Sequence, residues 1–196
     1  MNYGDISSNG YVNGICAKGK KVVNCVNYGE LISLKDMSVA GIGTPTNIYN
    51  SYNLGSVTTS MVQYSAVSGG IYGYEENGLE YGGRLHIVNC YNAGVISSKW
   101  SNGSIMAWIR FIDGSYDRVI NHCFYEEGKG GNQYIATSYS DVYIKSKSFI
   151  DELNNYIISN DDGIDTKGWA KWASGLDGYP ILDFKNTWDG TKWSEE

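Results

Sequence analysis

Four times the chain returns to nearly the same short turn: NCVNYG at 24–29, NSYNLG at 50–55, NCYNAG at 89–94 and a loosened NHCFYEEG at 121–128. Asn2-Tyr3-Gly4 matches Asn27-Tyr28-Gly29 and reads as a fifth copy cut short. Aligned on the turn glycine, the copies fall at Gly4, Gly29, Gly55, Gly94 and Gly128, with spacings of 25, 26, 39 and 34 residues. Such a recurrence outranks any local secondary-structure reading, because a repeat sets the architecture.

Three apolar stations recur between the glycines. The first is Ile6, Leu31, Val57 and Ile96, two residues after each glycine; the second is Ile15, Ile42, Ile71 and Ile105; the third is Val22, Ile48, Ile87 and Ile120, three residues before the Cys/Ser position. Each unit therefore offers about three short strands, none long enough to bury an apolar side alone. Stacking solves the problem: equivalent strands pair in parallel at ~4.8 Å and the stations merge into interior columns. The expected fold is an all-β parallel solenoid over residues 1–135, right-handed because crossovers between parallel strands almost always are. Composition agrees, with 25 Gly and 17 Tyr against 2 Pro and only 18% charged residues, a mix that favours strands and turns.

Within the turn motif, glycine is expected to supply a positive φ at a corner, and the asparagines to stack their amides from unit to unit. Strict alternation cannot place both the third station and the Cys/Ser position inside. A bend near the first Asn would turn Val26, Tyr52, Tyr91 and Phe124 outward; without it they point in.

From 136 to 196 the motif disappears, and this stretch reads as a cap packed on the solenoid end. Ser148 is expected to cap a helix near 148–158, with Phe149, Ile150, Leu153, Tyr156 and Ile157 on one face. Trp169, Trp172, Tyr179, Pro180, Ile181 and Leu182 supply bulk for closing an open stack. The tail from Asn186 is expected to be loosely held or to lead into a further segment.

Cys25, Cys90 and Cys123 share one repeat position, with Ser51 in the remaining unit; an interior ladder of small side chains is favoured over a Cys90–Cys123 disulfide. Zinc is disfavoured by the lack of C-x-x-C pairs. NDDGID at 160–165 lacks the ligand pattern of a calcium loop and reads as a polar turn. Glu75-Glu76 and Glu126-Glu127 are chain neighbours, whereas glycosidase carboxylates face each other across ~5–9 Å. No catalytic residue, metal site or cofactor is assigned. The extra residues of the longer units fall at 74–86 and 107–118, and they hold all three arginines. Tyr74, Tyr81, Arg84, Trp108, Arg110, Tyr116 and Arg118 are the candidate ligand-binding residues, since aromatics beside planar bidentate donors suit a sugar or protein ligand. Packing of the two loops on each other is the plainer reading. A net charge of −6 without a basic run argues against nucleic acid, and no apolar run reaches membrane-spanning length. Met1 opens inside a repeat, which is expected of a piece of a longer chain.

GGIYG at 69–73 together with NCYNAG resembles the GLUG repeat, named for its Gly-Leu-any-Gly core. Ile71 stands where the family has Leu, and Gly14-Ile15-Cys16-Ala17 and Ser104-Ile105-Met106-Ala107 depart further. The ending resembles the Trp then Tyr-Pro-Ile/Val-Leu closure that follows such repeats in bacterial surface proteins. The resemblance, over roughly residues 2–128, implies a secreted or cell-surface bacterial protein and a non-catalytic module for adhesion, for binding a glycan or protein ligand, or for rigid spacing. Its alternative is an accessory domain of an exported protease or polysaccharide-degrading enzyme with the active site elsewhere.

Overall fold

The computed structural model describes residues 1–35, 37–60, 67–73, 85–99, 101–107, 118–131 and 135–195. The chain is mostly β and divides into two compact units, Met1–Ser138 and Tyr139–Glu196.

In the first unit each apolar station becomes a column. One parallel sheet orders Ile6–Ser8, Leu31–Ser33, Val57–Thr59 and Ile96–Ser97 side by side, with registers Ile6↔Leu31, Leu31↔Val57 and Val57↔Ile96. A second orders Val12–Asn13, Val39–Ala40, Val67–Gly69 and Ser101–Gly103. Just beyond it, Ile15 N–H donates to Ile42, Ile42 to Ile71, and Ile71 to Ile105, at 2.9–3.1 Å. The third sheet carries Val22–Val23, Asn47–Tyr49, Leu85–Asn92 and Arg118–Glu126, in the registers Val22↔Ile48, Ile48↔Ile87 and Ile87↔Ile120. Val26–Asn27 and Tyr52–Asn53 extend that sheet across the turn motif. All twelve station residues thus stand in the order that the glycine alignment assigns them. We call each chain segment between successive motif asparagines a rung.

Among the described residues of this unit two apolar clusters stand out. Val12, Leu31, Val39, Val57 and Ile96 form one; Ile42, Ile48, Ile71, Leu85, Ile87, Cys90, Ile105 and Cys123 belong to the other. Short strands suffice because backbone groups bond to the rungs on either side, and the period-two alternation needs to hold for only two or three residues at a time.

The second unit is built differently. Helices α1 (Asp141–Ile144) and α2 (Lys147–Ser159) accompany an antiparallel sheet of Ala170–Ser174, Pro180–Trp188 and Trp193–Glu195. The cap of α2 is Ser146, two residues before the expected Ser148: its hydroxyl accepts the Phe149 N–H at 3.2 Å. The preceding turn decides this, because Ser146 N–H bonds the Tyr143 carbonyl and leaves Ser146 extended at ψ 156°, as an N-cap must be. The helix buries Phe149, Leu153, Tyr156 and Ile157, leaving Ile150 half-buried. Trp169, Trp172, Pro180 and Leu182 are buried in the same unit, while Tyr179 and Ile181 are partly covered. Asn154 anchors α2 to the sheet: its carboxamide accepts the Trp172 N–H and donates to the Trp172 carbonyl, both at 2.9 Å. The expected loose tail is instead a hairpin, Asn186↔Glu195 and Trp188↔Trp193, turned at Asp189-Gly190 with Gly190 at φ 102°.

Candidate functional site

The recurring turn is the most chemically distinctive feature of the chain, and its residues form columns. Asn27, Asn53 and Asn92 are fully buried. Asn2 Nδ2 donates to Asn27 Oδ1, Asn27 to Asn53, and Asn53 to Asn92, each at 2.7 Å. The same Nδ2 atoms donate to the glycine carbonyl two residues on: Asn27 to Gly29 at 2.9 Å, Asn53 to Gly55 at 2.8 Å and Asn92 to Gly94 at 3.0 Å. Because a peptide carbonyl only accepts, these bonds fix which end of each amide faces which way. The first Asn of the motif makes a second column of opposite polarity, Asn89 donating to Asn50 and Asn50 to Asn24, both at 2.8 Å.

The bend needed at the first Asn is present. Asn24, Asn50, Asn89 and His122 sit at φ 55°, 47°, 54° and 51°, a left-handed conformation that Asn tolerates better than other side-chain-bearing residues. It lets the third station and the Cys/Ser position face the same cluster, as Ile87 and Cys90 do. It also gives Cys and Ser their reason for being there: Cys25 Sγ donates to the Val23 carbonyl, Ser51 Oγ to Tyr49, Cys90 Sγ to Val88 and Cys123 Sγ to Asn121. A small donor at this position adds a local bond across the bend to a carbonyl that, at Tyr49 and Val88, also accepts the N–H of Asn24 and Asn50.

The turn glycines play a different part from the one expected. The conformational burden falls on Asn, and positive φ occurs only at Gly128 among the five aligned glycines. A Cβ on Gly29 would lie 2.1 Å from the Gly4 carbonyl oxygen; on Gly55, 2.0 Å from that of Gly29; on Gly94, 2.0 Å from that of Gly55. At these three glycines close approach between successive rungs, rather than dihedral freedom, excludes a side chain, while Gly128, at φ 81° with open space around it, has the conformation expected.

Val26, Tyr52, Tyr91 and Phe124 align in one register row. Alternation puts them on the side of the strand opposite the Cys/Ser and Asn columns, yet all four are buried. Tyr52 and Tyr91 stack at 5.1 Å with planes 4° apart, and Tyr28 meets Tyr52 edge-on at 5.8 Å. Alternation identifies the side a residue faces and says nothing about whether that side is covered.

The four cysteines are free thiols. Cys90 and Cys123 are direct register partners. Burial pushes the Cys90 thiol well above its ordinary range, and its hydrogen bond with Cys123 adds to this; Cys25 is raised chiefly by burial as well. Such thiols are poor nucleophiles. Among the described residues no group of three metal-ligating side chains occurs. In the NDDGID stretch Asp162 accepts the Tyr156 hydroxyl at 2.6 Å and Asp165 the Lys167 N–H at 3.0 Å. Glu126 is buried and pairs with Lys129 at 3.6 Å.

The sequence-expected ligand residues Tyr74, Tyr81, Trp108, Arg84, Arg110 and Tyr116 lie outside the described residues, as do Glu75 and Glu76. Arg118 opens the strand Arg118–Glu126 opposite Leu85. What is described are the flanks of both insertions, and these are in register: Tyr72↔Met106 before them and Leu85↔Arg118 after.

Comparison with protein-family models, with curated proteins and with solved structures returned no match.

Proposed function

We propose that the first unit is a right-handed parallel β-solenoid of the GLUG-like kind. In this reading the protein is a non-catalytic module of a secreted or cell-surface bacterial protein, a stiff stack of rungs acting as spacer or adhesion surface. The observation that carries the reading is the asparagine ladder: the polar residues that repeat most faithfully are buried and bonded to their equivalents on adjacent rungs. A residue type repeated for catalysis would have to be exposed to a substrate, whereas Asn27, Asn53 and Asn92 hold the backbone turns together. Parallel stacking of short strands also resists extension, since separating two rungs breaks many backbone bonds at once.

Single-molecule pulling on the full chain held at its ends tests this. A stiff stack should unfold in discrete steps of one or more rungs, with released lengths matching rungs of 25 to 39 residues. A featureless, low-force extension of the first unit would overturn the scaffold reading. Turnover of a polysaccharide or peptide by the purified chain would overturn the non-catalytic one.

A further inference from the structure

Asn-Gly pairs occur in the chain at 9–10, 13–14, 77–78 and 102–103, and the pair at 77–78 lies outside the described residues. In such a pair the asparagine carboxamide is open to attack by the glycine nitrogen, because glycine leaves that nitrogen unhindered and its backbone free to pivot. The nitrogen gives up its proton and bonds to Cγ, ammonia leaves, and a cyclic imide remains. Water then opens the ring to aspartate or, with the main chain rerouted through the side chain, to isoaspartate. The fold decides which pairs can bring nitrogen and Cγ together.

Two of the described pairs are held away from that approach. Asn13 is in register with Ala40 in the second sheet, and Gly14 N–H donates to the Ala40 carbonyl at 3.1 Å. The space beside Gly14 is filled by the Gly41 carbonyl and the Asn27 carboxamide. Asn102 is half-buried and Gly103 is in register with Gly69, while the carboxamide and carbonyl oxygens of Asn102 lie against Gly131. Attack at either pair requires one rung to part from its neighbour first.

Asn9 differs on each count. It lies outside any strand, at the corner between Ile6–Ser8 and Val12–Asn13, and its side chain is exposed. Exposure is a property of the corner, since Leu34 and Lys35 at the same corner of the following rung are exposed as well. Gly10 N–H is held only by the Ser8 hydroxyl at 3.0 Å, a bond within the corner and not to another rung. The atom nearest to a Cβ built on Gly10 is that hydroxyl oxygen, at 3.6 Å.

We infer that Asn9 is a site of spontaneous deamidation, the labile one of the three described Asn-Gly pairs. The product matters because the corner is pinned on both sides: the Ser8 carbonyl accepts the Leu34 N–H at 2.8 Å, and the Gly10 carbonyl accepts the Ser33 hydroxyl at 3.1 Å. Isoaspartate at this position lengthens the main chain between those anchors and adds a negative charge, so one anchor must loosen. The inference rests on the chain's own chemistry and stands apart from any role in adhesion or spacing.

The test is peptide mapping by mass spectrometry after incubation of the full chain at mildly alkaline pH. Asn9 should convert at least about tenfold faster than Asn13 and Asn102, whose conversion waits on local opening; in urea the three rates should converge. Gly10→Ala, which the open corner accommodates, should suppress conversion at Asn9 with the melting temperature unchanged. Amide exchange at Leu34 should quicken in the aged chain, and Asn9→Gln should prevent this. Conversion of Asn13 or Asn102 as fast as that of Asn9 in the folded chain would overturn the inference. So would an Asn9 that stays intact while the unfolded chain converts, or a rate at Asn9 that Gly10→Ala leaves unaltered.

Discussion

The two units reach stability by opposite routes. In Met1–Ser138 the station-bearing strands pair in parallel with segments that lie 25 or more residues away, and the hydrogen-bonded side chains meet their own equivalents on the next rung. In Tyr139–Glu196 the strands are neighbours in sequence, paired antiparallel through short turns, and the helices are fastened by local caps and by side-chain bonds such as those of Asn154, Glu152 and Thr166. Repetition makes each position in the first unit answerable to the rungs above and below, so one misfit disturbs two interfaces. The second unit can yield locally.

Glycine gives the largest contrast. Gly55→Ala drives a Cβ into the backbone of Gly29 and the Asn27 amide, at 2.0 and 2.7 Å, where neither side can retreat without breaking the stack. A loss of about 3–5 kcal/mol is expected, enough to unfold the first unit. Gly163→Ala in the second unit meets only the cost of φ +69° with open space around it, about 1–2 kcal/mol. Urea denaturation followed by circular dichroism separates them; similar midpoints for the two variants would mean that rung spacing relaxes readily.

Asparagine comes next. Asn53→Ala removes a buried donor and acceptor and leaves the Asn27 amide, the Gly55 carbonyl and the Asn92 carboxamide each short of a partner. The expected loss is about 2–4 kcal/mol, from unsatisfied buried polar groups rather than from the bonds themselves. Asn154→Ala, at the rim of the second unit, should cost about 1–2 kcal/mol, since water can reach part of what it leaves. The Ser146→Ala cap deletion should cost about 1 kcal/mol and Ser148→Ala almost nothing, which checks the cap position directly.

Thiol reactivity sharpens the comparison within the first unit. Cys90 and Cys123 are buried, whereas Cys16 and Cys25 are partly exposed on the outermost rung. Under native conditions an alkylating reagent should modify Cys16 and Cys25 first and leave Cys90 and Cys123 protected until unfolding. Mass spectrometry without reductant should find four free thiols; a Cys90–Cys123 bridge would contradict the ladder.

Sequence reading succeeded where one problem is solved repeatedly. Each rung must bury the same side of the same short strands, so Ile6, Leu31, Val57 and Ile96 betray their alignment through spacing alone. Failing alternation pointed to a bend near the first Asn without deciding between a bent and an unbent strand, and glycine was credited with the strain that Asn50 and Asn89 bear. The demand on Gly55 is a clash with another rung, and no local pattern contains that distance. The burial of Tyr52 and Tyr91 was equally hidden, since a period of two does not report what lies across a face. In the second unit no repetition averages out errors. Ser146 and Ser148 are equivalent candidates until the turn before them is known, and the Asp189-Gly190 pair between Trp188 and Trp193 was a legible hairpin signal that went unread. The candidate ligand loops at 74–86 and 107–118 were found by subtraction from the repeat, and their described flanks return to register on both sides.

The smallest expected effect lies in the second unit, in a cluster of two tyrosines on one glutamate. Tyr139 and Tyr143 both donate to Glu152, at 3.2 and 3.1 Å, with their rings 4.3 Å apart. Burial, then the Glu152 charge and the neighbouring Tyr143, pushes the Tyr139 phenol up to about 12; Tyr143 is raised for the same leading reason. The folded state thus favours the neutral phenol more than the unfolded chain does, whose tyrosines ionise near pH 10. The associated stability is fully present below about pH 10 and is lost as pH rises toward 12. The groups are only half-buried, so solvent screens the interaction and the effect on the second unit should be slight. Phenolate absorbance should reveal a late-titrating fraction, shared with Tyr143 and Tyr49, that Tyr139→Phe reduces, while Tyr179→Phe, whose hydroxyl bonds the exposed Asp141 at 3.3 Å, leaves it in place. Raising the salt concentration should lower that late midpoint by weakening the repulsion from Glu152, without abolishing the part due to burial.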